Sequence, residues 1–251
     1  MKHLMLLLSV GIMILFAASV FAAGLNRKND DKLVLWLDFD ALDIEDLSPK
    51  KTPFQSIEGE PKIVEGIVGS AWQFEVGLRI TIEVQTFNDA FKESTFLVWV
   101  KESSESGVVY EEGGGTNGHC VQILNGQLQF CTRDNSVATC IQADFPTNDD
   151  EWHLITTVFN QDVMEIYIDG EKVADKDSVP GIAGHGNEMG IGNVDAVHNG
   201  TACTQNAGQW IGIMDEFTIT RRVLTAQEIK EEFEAGGQLS VEAMGKVAIT
   251  W

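Results

Sequence analysis

The chain is poor in proline and in positive charge. Its 251 residues include 5 prolines, and 17 lysines and arginines stand against 38 aspartates and glutamates, which gives a formal net charge of −21. A negative field of this size opposes binding to nucleic acid or anionic membranes and attracts cations such as calcium. The same negative charge also increases solubility, and this explanation involves no binding partner. Few prolines, 24 glycines and no internal repeat favour one large domain over two small ones.

The usual catalytic and metal-binding motifs are also missing. The five histidines show no HxH or HExxH spacing. The glycine run at residues 113–115 lacks a following Lys-Ser/Thr and does not predict a phosphate loop. A glycosidase needs two carboxylates flanking the scissile bond, and the nearest approach, Glu165 and Asp169, ends in a turn. We therefore predict that the protein is not an enzyme.

A long apolar run occurs at the N-terminus. Lys2 precedes apolar residues 4–16, and residues 17–23 are rich in small side chains. This pattern predicts a signal peptide over residues 1–22, with cleavage near Ala22. The mature chain would then be secreted, extracellular or periplasmic, and would meet a membrane only transiently through the signal. An uncleaved anchor is the alternative, because apolar character persists for about 20 residues.

The rest of the chain has the pattern of strands separated by turns. Strand-like stretches recur about every ten residues, residues 41–56 have the composition of a long loop, and a helix follows Thr225. We predict an all-β fold, a two-sheet antiparallel sandwich with one short C-terminal helix. The domain would span residues 30–237. Residues 238–251 would form a C-terminal tail that either adds an edge strand or stays mobile.

The most informative segment covers residues 210–229. Alternation predicts a strand whose buried face carries Asp215 among four apolar side chains, those of Ile211, Ile213, Phe217 and Ile219. A carboxylate on such a face is costly unless a cation or several donors meet it. The helix that follows is predicted to start at a capping box formed by Thr225 and Glu228.

Four cysteines in a secreted chain predict two disulfides. A two-residue turn at residues 135–136 sets Cys131 opposite Cys140 at a non-hydrogen-bonded site, where side chains come closest. Cys120 then pairs with Cys203. The preceding hairpin turn allows a competing pair, Cys120 with Cys131, at a hydrogen-bonded site.

Four stretches occur in an order that is typical of one family. They are LVLWLDFD at residues 33–40, GIVGSAWQFEVG at 66–77, EWHLITTVFNQDVMEIYIDGEKV at 151–173 and WIGIMDEFTITRRVLTAQEI at 210–229. Together they resemble LamG-like jellyroll domains, relatives of pentraxins and concanavalin-type lectins. The resemblance implies a jellyroll sandwich in which the opening and closing strands lie close together.

The resemblance also implies a place for calcium. Asp40 ends the opening strand and Asp215 lies on the closing strand, so the two are placed to share the ion, with backbone carbonyls completing its ligands. Asp46 is a weaker candidate, because LSPKKTPF replaces the small polar residues of the family's loop. The alternative is that backbone N–H groups satisfy Asp215 and that Asp40 is solvated.

The expected function is binding or adhesion, with carbohydrate or an extracellular protein as the partner. The tryptophans would suit a sugar, but their neighbours place most of them in the core. The polar loops 111–119 and 193–209 form the better binding surface. Their candidate ligand contacts are Glu111, Asn117, His119 and Asn199. Two other functions stay open: a polysaccharide-active glycoside hydrolase or its ancillary domain, and a passive surface or matrix protein.

Overall fold

A computed structural model of the protein describes residues 25, 27–83, 87–177, 181–186, 188–194 and 202–236. The predicted signal peptide, the C-terminal tail and Asn199 lie outside these residues. The described strands are β1 (Leu33–Leu37), β2 (Phe54–Glu58), β3 (Lys62–Glu65), β4 (Ser70–Phe74), β5 (Arg79–Ile82), β6 (Glu93–Lys101), β7 (Gly107–Gly113), β8 (Gly118–Leu124), β9 (Gln127–Asp134), β10 (Val137–Asp144), β11 (His153–Asn160), β12 (Val163–Ile168), β13 (Glu171–Asp177), β14 (Met189–Ile191) and β15 (Gly212–Thr220). One described helix, α1 (Ala226–Ala235), follows them.

Two antiparallel sheets form a sandwich, as predicted. The first sheet has the order β13-β12-β11-β6-β15-β4-β3, with β1 also paired to β15, and the second has the order β10-β9-β8-β7-β14-β5-β2. The opening strand β1 therefore lies beside the closing strand β15, with Leu37 opposite Phe217. The prediction of an all-β sandwich with one short C-terminal helix is confirmed.

Three tight turns explain how the hairpins form. Asn125-Gly126, Asn135-Ser136 and Asp169-Gly170 all have positive φ at both central residues. This is the geometry of type I′ turns, whose twist matches that of the flanking strands. The turns set the registers β8–β9, β9–β10 and β12–β13.

The core lies between the sheets and is aromatic and aliphatic. Phe39, Trp72, Phe74 and Trp210 are in contact there, with ring centroids 5.3 to 6.4 Å apart. Trp36 and Trp99 are also buried, and Trp152 is half-buried. The tryptophans of the described residues thus belong to packed parts of the fold, which agrees with the sequence analysis and removes them as a sugar-stacking surface.

The closing strand differs from its prediction. A bulge lies between Asp215 and Thr218, and Glu216 has a φ of 51°, so the alternation shifts within β15. Met214, Phe217 and Ile219 face the inter-sheet core, whereas Asp215 lies opposite Trp99 on the other face of the sheet. The predicted single apolar face is therefore wrong, because alternation along a sequence does not reveal a bulge.

Helix α1 packs on the outer face of the first sheet. Thr225 and Glu228 form the predicted capping box, and Ile229 and Phe233 contact a cluster that includes Trp99. Phe233 stacks on Trp99 with a centroid separation of 5.7 Å. The backbone N–H of Leu25 donates to the Glu232 carboxylate at 3.0 Å, so the folded unit includes residues before the predicted start at residue 30.

The acidic stretch 41–56 differs in part from the predicted loop. Strand β2 begins inside it, at Phe54, and pairs with β5. Strand β3 pairs with β4 at the edge of the first sheet. Edge strands are short and partly polar, which hides them from pattern analysis. Among the described residues, no helix has the length and apolar character that crossing a membrane requires.

Candidate functional site

Asp40 and Asp215 both contact the turn that leads into β4. Asp215 accepts hydrogen bonds from the backbone N–H groups of Val68, at 3.1 Å, and Glu216, at 2.8 Å. Asp40 accepts from the N–H of Ser70 at 2.8 Å. The bulge explains this placement: β15 pairs with β4 up to Met214 and with β1 from Phe217 onward, so Asp215 lies at the gap between the two partners. The predicted pair of carboxylates is brought to one place.

Glycines in this turn make room for the two carboxylates. A Cβ added to Gly66 would lie 2.6 Å from Oδ2 of Asp215 and 2.7 Å from the Ser70 carbonyl, and one added to Gly69 would clash with Oδ1 of Asp40. Gly69 also has a φ of 68°, which few side chains adopt. The turn is therefore shaped around these two acids.

The surroundings of the pair are strongly acidic. Burial, then the charges of Glu216 and Asp40, raise the pKa of Asp215 well above its usual range. Burial also raises the pKa of Glu216 to about 7, although Arg27 and a hydrogen bond from the Trp36 indole oppose that shift. Arg27 reaches Glu232 at 2.6 Å and Glu216 at 3.9 Å. A cation close to Asp215 would relieve this repulsion.

The carboxylate pair is compatible with calcium but is incomplete by itself. The described residues contain no group of three or more His, Cys, Asp or Glu side chains placed to hold a metal ion. Calcium takes six to eight oxygens and accepts backbone carbonyls among them, so carbonyls of the turn at residues 66–70 would have to supply part of the shell. Two backbone N–H groups already meet Asp215, as the metal-free alternative expects.

Asp46 does not lie in this arrangement. Its Oδ1 accepts from the N–H groups of Trp36, at 3.0 Å, and Ser48, at 2.8 Å, while Oδ2 accepts from the Ser48 hydroxyl and the Thr52 N–H, both at 2.7 Å. Four donors thus occupy a fully buried carboxylate. Asp46 anchors its own loop to β1, which differs from the expectation that it joins a metal site.

Three cysteines form a row across the second sheet. Cys120 lies opposite Cys131, and Cys131 lies opposite Cys140, so the strand register alone permits either predicted pairing. The structure has disulfides Cys131–Cys140 and Cys120–Cys203, with Cα separations of 4.1 and 5.1 Å. These are the pairs that the turn geometry favours. The second bridge exists because the loop bearing Cys203 lies on the outer face of this sheet.

That loop is held along its described length. Arg79 donates to the Val194 carbonyl at 3.4 Å, Arg133 donates to the Cys203 carbonyl at 3.2 Å, and the Ala207 N–H donates to Gln122 at 3.1 Å. The described parts of residues 193–209 therefore cover sheet residues instead of projecting as a free binding loop.

Two predicted ligand contacts are buried. Glu111 and His119 are 0% and 1% exposed, because they belong to strands β7 and β8 and not to the loop between them. Burial lowers the pKa of His119 to about 3, and its ring packs edge-on against Phe91, Phe130 and Phe159. Direct contact of these two side chains with a soluble ligand is not possible in this structure.

Next to them lies an ion-pair cluster that the sequence did not reveal. Glu112 is fully buried and accepts from Arg221, whose guanidinium lies 3.9 Å from the Phe91 ring centroid. His185 Nε2 lies 3.5 Å from Oε1 of Glu112. Burial opposes ionisation, but Arg221 and then His185 outweigh it and lower the pKa of Glu112 to about 2. The two consecutive glutamates in the otherwise apolar strand GVVYEEG were the sequence feature that could have indicated a buried ion pair.

Asn117 is the predicted contact that does reach a concave surface. Its amide nitrogen donates to the Gly184 carbonyl at 3.0 Å, and its amide oxygen accepts from the Asn135 N–H at 2.8 Å. It thereby ties its own loop to two others, and the loops of Asn117 and Gly184 line a pocket of about 270 Å³, which we call the rim pocket. The lining residues are Gly114, Gly115, Thr116, Asn117, Gly184, His185 and Gly186.

Comparison with known protein families gives a match that covers most of the sandwich. The family model Laminin_G_3, described as the concanavalin A-like lectin/glucanases superfamily, matches residues 78–230. No curated protein matches the chain.

Solved structures with the same fold include binding domains of bacterial toxins. The binding domain of Paraclostridial Mosquitocidal Protein 1 is 18% identical, with a TM-score of 0.65 over 82% of this chain and 52% of that one. The botulinum neurotoxin DC binding domain in complex with rat synaptotagmin II is 13% identical, with a TM-score of 0.64 over 82% and 52%. The same domain with SialylT is 12% identical, with a TM-score of 0.63 over 82% and 51%.

This chain thus spans about half the length of the binding domains that it matches, and the likeness at this identity establishes the fold. The family match covers more than half of the chain. The chain belongs to the concanavalin A-like lectin/glucanases superfamily.

Proposed function

We propose that this protein is a secreted, non-catalytic binding module that recognises carbohydrate or an extracellular protein. The observation that carries the proposal is the rim pocket, whose two loops are joined by the hydrogen bond from the Asn117 amide to the Gly184 carbonyl. Ligand sites are usually concave and largely formed before the ligand arrives. Loops held at the rim of a rigid sandwich meet that requirement.

The similar solved structures support binding as the activity. They are binding domains, one in complex with synaptotagmin II and one with SialylT. Those partners belong to the toxins, but they represent the two ligand classes proposed here. Two disulfides support a location outside the reducing cytoplasm, because such bridges persist in oxidising compartments.

The positions of the acids favour binding over hydrolysis. A glycosidase needs two carboxylates facing one glycosidic bond, about 5 to 10 Å apart. Glu165 is tied to the Tyr167 hydroxyl and to Lys172, and Asp169 is tied to His153. Among the described residues, those that line the rim pocket include no carboxylate.

A calcium ion at Asp40 and Asp215 is the second part of the proposal. The glycine turn that accommodates both carboxylates supports it. The ion would add positive charge beside Asp215, because Arg27 pairs with Glu232 and Glu216, and Asp46 would take no part. Its role would be to fix the turn where β1 and β4 meet β15.

A glycan array probed with the purified full chain, in calcium and in a chelator, tests the function. We expect saturable binding to at least one glycan class. Loss of that signal in chelator would show that glycan binding depends on the ion. An unchanged signal would mean that calcium, if bound, only stabilises the fold. Turnover of a β-glucan would contradict the non-catalytic assignment. Silence on the array, and no pull-down of an extracellular protein, would overturn the proposal and leave a passive surface component.

A further inference from the structure

The rim pocket is built mostly from main chain. Four of its seven lining residues are glycines, and the others are Thr116, Asn117 and His185. Its volume of about 270 Å³ is below the range of about 300 to 1,000 Å³ that drug-sized ligands occupy. A cavity of this size holds one small ring, and further units of a longer chain would lie outside it.

The walls of the pocket are fixed before any ligand binds. The Gly114 N–H donates to the Asn117 carbonyl at 2.8 Å, and the Ser136 N–H donates to the Thr116 carbonyl at 2.8 Å. On the other wall, the His185 N–H donates to the Asn88 carbonyl at 3.1 Å. A ligand would therefore not have to order these loops, which lowers the entropic cost of binding.

The groups that face the pocket are neutral hydrogen-bonding groups. Within the described part of the chain, the backbone N–H groups of Gly115, Thr116 and Gly186 have no protein acceptor, and the Thr116 side chain is exposed. The His185 imidazole is only 3% exposed, and its ring lies against Gly113. Ligand hydroxyls can thus accept from main-chain donors and donate to carbonyls, while the described residues that line the pocket include no Phe, Tyr or Trp.

The electrostatic surroundings disfavour an anion. Behind His185 lies the buried Glu112, whose carboxylate is already neutralised by Arg221. That arginine is therefore not available to a ligand, and the chain as a whole carries a net charge of −21. A carboxylate or sulfate on the ligand would meet the net negative charge of the chain, and the Arg221 guanidinium is already paired with Glu112.

We infer that the rim pocket binds a single neutral sugar unit through backbone amides and the Thr116 hydroxyl. This inference rests on the proposed binding function and adds the location and the class of the ligand. Hydrogen bonding without stacking or charge gives weak binding of one unit. Useful affinity would then require several copies of the sugar on one surface.

Two glycines allow the pocket to be filled without strain. A Cβ on Gly115 or Gly186 meets no atom within 4 Å, and neither residue has a left-handed φ. Gly115→Leu and Gly186→Leu should therefore fold normally and occupy the space of the ligand. Gly181→Leu is the matched control, because its Cβ makes only ordinary contacts at 3.5 Å and it lines a neighbouring cavity.

The experiment is a titration followed by amide shifts in ¹H–¹⁵N spectra of the full chain. The probes are the methyl glycosides of glucose, galactose, mannose and N-acetylglucosamine, with N-acetylneuraminic acid as the anionic counterpart. We expect at least one neutral glycoside to shift the amides of Gly115 and Gly186 saturably. Gly115→Leu and Gly186→Leu should weaken it at least tenfold and Gly181→Leu should not, with the acid at least tenfold weaker than the best glycoside.

The results separate this inference from the proposed function. Glycan binding that survives both filled-pocket variants would overturn the rim pocket as the site and leave the binding module standing. Tighter binding of the anionic sugar would overturn the ligand class. No shift at these amides with any neutral probe would also overturn the inference, whereas only silence on the array and in the pull-down removes the function itself.

Discussion

Arg221 reaches from the end of one sheet to Glu112 of the other. The arginine follows directly after β15, the glutamate lies on β7, and the two side chains are hydrogen-bonded across the interior. The glutamate is fully buried and the arginine side chain is 17% exposed. The pair therefore joins the two layers of the sandwich close to the rim pocket.

Removing the cation should destabilise the fold strongly. Arg221→Met leaves the Glu112 carboxylate buried without its main partner, and breaking such a pair costs about 3 to 5 kcal/mol. Urea unfolding at pH 7 measures this change. Adding Glu112→Gln to Arg221→Met should restore part of the loss, since no buried charge is then left unpaired. Additive losses in the double variant would show that the two side chains act independently.

His119 should make the protein sensitive to acid. Burial lowers its pKa from 6.5 to about 3, so between these values the unfolded chain binds a proton that the folded chain does not. Stability is therefore present above pH 6.5 and is lost as the pH falls toward 3. His119→Phe should flatten the pH dependence of the unfolding free energy in this window. An unchanged slope would mean that other groups determine the acid sensitivity.

His153 should act in the opposite direction. Burial disfavours its charge, but hydrogen bonds to Asp169 at 2.8 Å and Asp149 at 3.2 Å outweigh burial and raise the pKa. Its contribution is complete below pH 6.5 and is lost as the pH rises through the raised pKa. His153→Asn should cost about 1 kcal/mol at pH 6 and less at pH 9. Equal costs at both pH values would contradict this assignment.

Local chemistry made much of the fold predictable. The Asn-Gly and Asp-Gly turns, the Thr225 and Glu228 capping box and the Cys131–Cys140 disulfide all depend on residues close in sequence, and Cys120–Cys203 is the pair that then remains. The pairing of β1 with β15 followed from a family resemblance, and it placed Asp40 and Asp215 at one turn. Patterns of this kind can be predicted from the sequence because backbone geometry allows few alternative turns and caps.

The remaining features depend on contacts between distant segments. The bulge at Asp215 arises where β15 changes partner from β4 to β1, and no alternation pattern shows such a change. Glu111 and His119 looked like loop residues because glycines flank them, yet they extend strands into the interior. The contact of His185 with Glu112 joins segments that lie more than 70 residues apart, beyond the reach of local signals.

The two disulfides should differ in how much each adds to the free energy of unfolding. In the chain-entropy description, a bridge over 83 residues stabilises by about 4.5 kcal/mol and one over 9 residues by about 2.6 kcal/mol. Replacing Cys120 and Cys203 by alanine should therefore lower the unfolding free energy by about 2 kcal/mol more than replacing Cys131 and Cys140. Peptide mapping of the unreduced protein checks the pairing itself, and a Cys120–Cys131 peptide would contradict the structure.

Calcium should raise the thermal midpoint through Asp40 and Asp215. An ion that binds only the folded chain adds about 2.7 kcal/mol at a hundredfold excess over Kd, so melting in calcium and in chelator should differ by several degrees. Asp215→Asn should abolish that difference because it removes a ligand and the charge that draws the ion. Asp46→Asn is the control, because it replaces a buried carboxylate that accepts four hydrogen bonds but lies outside the proposed calcium site. It should lower the thermal midpoint in calcium and in chelator alike and leave the difference between them unchanged. Identical melting curves for the unmodified chain in calcium and in chelator would contradict a calcium site here. The two carboxylates and their backbone N–H donors would then be sufficient to explain the glycine turn.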